Sequence, residues 1–201
     1  MFAEKFFDFN LTKDNFIKIA AFHNYSYHKI INDLAGKKLD KSKLNDLLAK
    51  KSVIYQNLCL ENKLDLKIDP AAKFLLTELQ TRKVKLILVM INNSFNFDFY
   101  LNNFALKNYF KAKDIIFLKD FLPGPPQPNF YQELINEKNL SAQNTIVFEN
   151  TRAGIKAAQK ANLGNIIIFA PKHRNFDYLN IPEITDIINS FYQFNRLLLR
   201  E

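Results

Sequence analysis

Residues 144–163, NTIVFENTRAGIKAAQKANL, decide how the fold of this chain is interpreted. The apolar run IVF at 146–148 is too short for a buried helix and is bounded by polar residues, which predicts a buried strand. Thr151 stands where a helix N-cap is expected, and the alanines that follow would let that helix lie close to a sheet. Ligands of open α/β sheets gather at the carboxyl ends of the strands, so Glu149 and Asn150 are the first candidates for chemistry.

Length, charge and cysteine content limit the class of protein. The 201 residues are 48% hydrophobic and carry 28 Lys+Arg against 20 Asp+Glu, a formal net charge of +8. The lysines are spread along the chain and not clustered with stacking aromatic residues, so nucleic acid is disfavoured as a partner. The single cysteine, Cys59, excludes an intramolecular disulfide and fits a reducing compartment. Because there is no signal-peptide pattern and no apolar run of bilayer length, we expect a cytoplasmic protein without a membrane partner.

Hydrophobic periodicity divides the chain into two parts. Residues 13–65 show helical patterns only, with a long helix over about 41–63. Further on, helices are predicted from Asp69-Pro70, over about 97–106, over 130–137, after Thr151 and from about Ser190. Strands are predicted at 86–91, 115–118, 146–148, 166–169 and, as a short last strand, 184–188. The alternation is typical of α/β proteins with a doubly wound, Rossmann-like parallel sheet. The predicted domains are an α/β core of residues 1–12 and 66–201, and a small all-helical cap of residues 13–65.

Two motifs resemble those of a known family. Residues 147–158, VFENTRAGIKAA, resemble the fourth motif of the haloacid dehalogenase-like (HAD) hydrolases, typically VFEDSxAGIxAA. Residues 124–131, GPPQPNFY, resemble the third motif, GKPxPDxY, of the same superfamily. The closest branch is that of the β-phosphoglucomutases and phosphoglycolate phosphatases, and the resemblance covers nearly the whole chain. It implies a HAD core with a helical cap. It also implies phosphoryl transfer by a nucleophilic aspartate, a second aspartate as acid/base, and Mg²⁺.

The first motif, DxDGT, leaves two alternatives open. In one, it corresponds to DFNLT at 8–12, so that Asp8 keeps the position of the nucleophile and Asn10 replaces the acid/base. A carboxamide transfers no proton at neutral pH, which would remove a contribution of typically ~10²–10⁴-fold in rate. In the other alternative, residues 2–12 are the first helix and turn of the cap, and the chain has neither a first strand nor a nucleophile.

The remaining motifs depart from the family at the positions that bind the phosphate and the metal. Met90 stands at the phosphate-binding Ser/Thr position and donates no hydrogen bond, although the nearby Asn92 could approach a phosphate. Pro125 replaces the phosphate-binding lysine and has neither an ammonium group nor a backbone N–H. Glu149 is retained, but Asn150 replaces an acid that binds the metal, and Mg²⁺ favours carboxylates among protein ligands.

These departures predict a pseudoenzyme. We expect a non-catalytic pseudophosphatase that needs no cofactor and acts by binding an unknown protein or small-molecule partner. Asp8 and Asn10 would then be vestiges of a catalytic pair, and Glu149 and Asn150 vestiges of a metal site. The alternative is a weak or altered Mg²⁺-dependent phosphatase or phosphoglucomutase-like hydrolase that uses Asp8 and Glu149. A second alternative is a basic nucleic-acid-associated protein.

Overall fold

The structure is a computed structural model that describes residues 32, 36, 38–61, 67–91, 96–118, 129–170 and 178–199. The chain forms two compact units, one of residues 1–68 and 86–124 and one of residues 69–85 and 125–201. The predicted division into core and cap depends partly on residues outside the described ranges, and it stays a prediction. Within the described ranges, no helix is both long and apolar enough to cross a membrane.

The described elements alternate as the sequence predicts. The helices are α1 Lys41–Glu61, α2 Pro70–Thr81, α3 Phe97–Asn103, α4 Phe130–Glu137 and α5 Arg152–Lys160. The strands are β1 Leu88–Ile91, β2 Ile115–Leu118, β3 Ile146–Glu149, β4 Asn165–Phe169 and β5 Asp186–Ile188. Short 3₁₀ turns lie at Leu106–Asn108, Ala112–Asp114, Phe191–Gln193 and Arg196–Leu198. All described strand pairs are parallel, which confirms the predicted α/β class.

The first unit contains a βαβ arrangement. Strands β1 and β2 pair in parallel, with Leu88 opposite Ile115, and α3 lies between them in sequence. Each strand has four residues and consists of large apolar residues, the composition expected of parallel strands covered on both faces.

Helix α1 is attached to α3 by specific contacts. The Tyr55 ring meets Phe99 and Tyr100 edge-on, each with ring centroids 6.2 Å apart. Beside it, the Gln56 amide donates a 2.7 Å hydrogen bond to the side-chain oxygen of Asn96. Cys59 of the same helix is buried and has a free thiol. The predicted cap therefore includes a helix that packs beside the start of α3.

The core of the second unit lies around β4. Strand β4 pairs with β3 on one side and β5 on the other. Its three central isoleucines, 166–168, are at most 2% exposed, as expected for a strand covered on both faces. Helix α5 buries Ile155, Ala157 and Ala158 completely against this sheet. The small alanines allow the close approach that the sequence predicted.

Local sequence fixes where two helices of this unit begin. At α2, the Asp69 carboxylate accepts hydrogen bonds from the backbone N–H groups of Ala71 and Ala72, and Pro70 fills the first helical position. At α5, the Thr151 hydroxyl oxygen accepts from the Gly154 N–H at 3.0 Å. Both caps agree with the predicted helix starts.

The predicted C-terminal helix from Ser190 is wrong. Two short 3₁₀ turns stand there, and the first is held by a capping box between Ser190 and Gln193. Phe191 stacks on Phe169 of β4 with ring centroids 4.7 Å apart, and Phe194 meets Phe148 of β3 at 5.3 Å. These aromatic contacts with the sheet override the weak helical pattern of the segment.

Candidate functional site

Glu149 is the last residue of β3, and the alternation of the strand decides where its side chain points. Successive side chains of a strand face opposite sides of the sheet. Phe148 packs against the C-terminal aromatic residues Phe191 and Phe194. Glu149 therefore faces the opposite side, where α5 begins.

The Glu149 carboxylate is surrounded by hydrogen-bond donors of the protein. The Tyr131 hydroxyl donates to Oε1 at 2.5 Å. The Thr151 hydroxyl and the Asn150 backbone N–H each donate to Oε2 at 3.3 Å. A carboxylate has about four lone-pair positions that can accept hydrogen bonds, and these three donors occupy most of them.

Tyr131 is the donor that sequence reasoning missed. It lies in the first turn of α4, is 7% exposed, and packs its ring against Phe130. Burial raises the pKa of the Tyr131 phenol far above its ordinary value, and the charge and the hydrogen bond of Glu149 raise it further. The phenol therefore stays protonated and donates. The available signal was that a buried tyrosine hydroxyl needs a partner, but the sequence does not say which one.

Gly154 makes room for this carboxylate. A Cβ atom at position 154 would lie 2.1 Å from Cδ of Glu149 and 2.2 Å from both of its oxygens. Glycine inside a helix usually costs about 0.5–1 kcal/mol relative to alanine. The space that Gly154 leaves free for Glu149 gives a physical reason for a glycine in α5.

Asn150 follows Glu149 at the carboxyl end of β3 and is exposed. Its backbone carbonyl accepts a 3.3 Å hydrogen bond from the hydroxyl of the buried Tyr178. The structure thus places the two predicted fourth-motif residues side by side at a strand end, one as a carboxylate and one as an amide.

The other predicted site positions are described only in part. Met90 is the third residue of β1, pairs with Phe117 and is half-buried. Asp8, Asn10, Asn92 and Pro125 lie outside the described residues. Their predicted roles, including both alternatives for residues 8–12, stay predictions.

Comparison with known proteins identifies the family. The model of the haloacid dehalogenase-like hydrolases matches residues 2–168. This chain belongs to the haloacid dehalogenase-like hydrolases. A HAD hydrolase of family IA, variant 3, from Entamoeba histolytica superposes with a TM-score of 0.84 at 20% identity, covering 98% of this chain and 86% of the other.

Two further HAD-type structures resemble the chain. A candidate β-phosphoglucomutase from Thermotoga maritima gives a TM-score of 0.66 at 18% identity, covering 93% of this chain and 82% of that protein. CbbY from Rhodobacter sphaeroides, solved in complex with phosphate, gives a TM-score of 0.72 at 14% identity, covering 96% of this chain and 84% of CbbY. These identities establish the HAD fold alone. No curated protein matches the sequence.

The HAD family implies a Mg²⁺ ion, and the described residues at the end of β3 do not fit one. Mg²⁺ is usually held by one or two carboxylates together with waters and phosphate oxygens. Here Glu149 is the one acid of the pair, and its oxygens already accept from Tyr131, Thr151 and the backbone. Within the described part of the chain, no three His, Cys, Asp or Glu residues are grouped so that they could hold a metal.

Proposed function

We propose that this chain is a HAD-fold protein that does not transfer phosphoryl groups and acts by binding a protein or a small molecule. The observation that carries the proposal is the end of β3, where the only carboxylate among the described residues is hydrogen-bonded to protein donors and its neighbour is the amide of Asn150. Among the described residues, this strand end offers a metal one acid, and that acid already accepts hydrogen bonds from the protein.

Three sequence positions add support. Met90 has no hydroxyl with which to hold a phosphate, and its position in β1 leaves the strand apolar to its end. Pro125 and Asn10 remove, in the family alignment, the lysine and the proton-transferring acid. The loss of one such group would slow the reaction, whereas the loss of all of them would remove nucleophile activation, charge neutralisation and phosphate binding together.

A phosphatase assay tests the proposal directly. The purified chain is incubated with Mg²⁺ and a panel of sugar phosphates, nucleotides and an aryl phosphate, and released inorganic phosphate is measured. We expect phosphate release at the level of the buffer control. The variants Asp8→Ala and Glu149→Ala should be indistinguishable from the wild type.

The control variant is Glu133→Ala, which removes an exposed acid of α4. Phosphate release that is lost in Asp8→Ala and in Glu149→Ala but retained in Glu133→Ala would overturn the proposal. That result would establish the alternative, a Mg²⁺-dependent HAD phosphatase that uses these two acids.

A further inference from the structure

An open groove runs along an exposed face of α2 in the second unit. The buried face of this helix carries Ala71, Leu75 and Leu79, and the groove lies on a different face. Its volume is about 620 Å³, within the range of roughly 300–1,000 Å³ that is usual for binding pockets. The side chains that give this α2 groove its character are Lys73, Phe74, Glu78, Arg82 and, from the C-terminal segment, Tyr192.

Two aromatic rings form the apolar wall of the α2 groove. Phe74 is 56% exposed and Tyr192 is 59% exposed, and their ring centroids lie 5.8 Å apart. A single exposed apolar side chain needs no explanation, but neighbouring large ones mark an interaction site. Aromatic residues and arginine are also the types that are enriched at the centre of protein interfaces. The wall therefore suits an apolar side chain of a partner.

Arg196 fixes the two sides of the α2 groove to each other. Its guanidinium group lies over the Phe74 ring, 5.7 Å from the centroid, and donates to the Glu78 carboxylate at 3.1 Å. The same group donates to three backbone carbonyls of the C-terminal segment that carries Tyr192. The groove is thus formed before a partner arrives, and little ordering of side chains opposes binding.

The charges around the α2 groove favour an acidic partner. Glu78 is the only acid among the described residues that line it, and its two oxygens accept from Arg82 and Arg196, each at 3.1 Å. The exposed Lys73 adds a further positive charge, so that three cations surround one acid. Complementary charge steers a partner to such a surface and excludes partners of the same sign. A second copy of this chain is disfavoured, because its formal net charge is also +8.

The shape of the α2 groove favours a peptide segment over a small molecule or a nucleic acid. Small-molecule pockets bury most of the ligand surface, whereas this groove is open and its two rings are more than half exposed. Single-stranded nucleic acid needs many phosphate contacts and ring faces on which bases stack. Here two of the three cations already contact Glu78, and one face of Phe74 lies against Arg196.

We propose that the α2 groove docks an acidic peptide segment of another protein. An aromatic or aliphatic side chain of that segment packs against Phe74 and Tyr192, and its acidic side chains meet Lys73 and Arg82. This inference rests on the proposed function, in which the chain acts by binding, and it narrows the partner to a protein with an exposed acidic segment.

Selection of a random-peptide display library on the purified chain tests the proposal. Enriched peptides are sequenced, and their affinities for the wild type and for substituted chains are measured by fluorescence polarisation. Phe74→Ser and Lys73→Glu alter the α2 groove at exposed positions. The matched controls are Leu179→Ser, which removes a similarly exposed apolar side chain of the same unit, and Lys156→Glu, which reverses an exposed charge on α5.

The enriched peptides should combine acidic residues with an aromatic or aliphatic one, and added salt should weaken their binding. Phe74→Ser should weaken binding by about tenfold to thirtyfold, as expected for truncation of a central interface residue. Lys73→Glu should weaken it by about threefold to tenfold, mainly through slower association. Both control variants should bind like the wild type.

A library that yields no enriched peptide would overturn the proposal, and so would peptides that lack acidic residues or bind Phe74→Ser equally well. A wild-type dimer in sedimentation that Phe74→Ser dissociates would assign the α2 groove to a second copy instead. Retention of single-stranded RNA that Phe74→Ser abolishes would assign it to nucleic acid. Failure of the proposed function would look different, because it would show as phosphate release by the wild type that Phe74→Ser leaves unchanged.

Discussion

Replacement of Gly154 by alanine should change the free energy of unfolding through two opposing contributions, helix propensity and the displacement of the Glu149 carboxylate. At an ordinary position inside a helix the change would stabilise the protein by about 1 kcal/mol. Here the new methyl group meets Cδ of Glu149 at 2.1 Å. The carboxylate is the far end of a flexible side chain, so it can rotate away, but it then gives up its hydrogen bond from Tyr131.

The magnitude follows from these two effects. A hydrogen bond to a charged group contributes about 1.5–3 kcal/mol. After the gain of about 1 kcal/mol in helix propensity, Gly154→Ala should lower the free energy of unfolding by about 0.5–2 kcal/mol. In a Tyr131→Phe background the hydrogen bond from Tyr131 is already absent, so the same substitution should lower the free energy of unfolding by about 1.5–3 kcal/mol less than it does in the wild type. The coupling between the two positions is therefore expected to be about 1.5–3 kcal/mol.

Urea unfolding of the wild type, both single variants and the double variant measures this coupling as a double-mutant cycle. Gly164→Ala is the control, because a Cβ atom there would lie 1.8 Å from the backbone oxygen of Gln143, which cannot rotate away. Its cost should be about 1–3 kcal/mol and should be the same with and without Tyr131→Phe. Additivity of Gly154→Ala and Tyr131→Phe within about 0.5 kcal/mol would refute the reasoning.

Two further predictions concern the same unit. Burial raises the pKa of Tyr131, and the charge and hydrogen bond of Glu149 raise it further. The folded state therefore favours the protonated phenol. The resulting contribution to stability is complete below about pH 10, the pKa of tyrosine in the unfolded chain, and is lost as the pH rises toward the raised pKa of the folded state. Urea unfolding at several alkaline pH values should therefore show a shallower decline in Tyr131→Phe than in the wild type, and parallel curves would contradict the assignment. Arg196 donates to Glu78 at 3.1 Å and to three backbone carbonyls of the C-terminal segment, so Arg196→Lys should lower the free energy of unfolding by about 1–3 kcal/mol. Arg82 pairs with the same Glu78 but is 46% exposed, and Arg82→Lys, the control, should change the free energy of unfolding by less than about 0.5 kcal/mol.

The sequence was sufficient to predict a helix or a strand where the local signal and the tertiary contacts favour the same structure. The N-cap at Thr151, the helix start at Asp69 and Pro70, and the strand at 115–118 needed only cap chemistry and an apolar run, and the structure confirms all of them. The C-terminal helix failed because contacts over long sequence separations decide that segment. Phe191 and Phe194 pack on strands that lie more than twenty residues earlier in the chain.

The candidate site shows the same limit. Motif comparison identified Glu149 and Asn150, whose types are readable from the sequence. It did not identify Tyr131 as the partner of Glu149, because a pairing across 18 residues depends on how α4 is placed against β3. The alternation of β3 gives the direction of the Glu149 side chain, but only the fold supplies what meets it there.

The contacts of Glu149 and Gly154 give a structural reason for the presence of both residues in the fourth motif. In a comparison of motifs, Glu149 counts as a remnant of a metal site and Gly154 only as a match to the family pattern. In this structure both have structural roles, because the carboxylate accepts from a buried phenol and the glycine leaves space for that carboxylate. Loss of either would expose a buried polar group to an apolar environment or force a steric overlap, whether or not a metal is ever bound. Residues of a catalytic motif can therefore have a structural role that does not depend on a bound metal. Under the proposed function, the residue of this motif that distinguishes the chain from an active hydrolase is therefore the exposed Asn150.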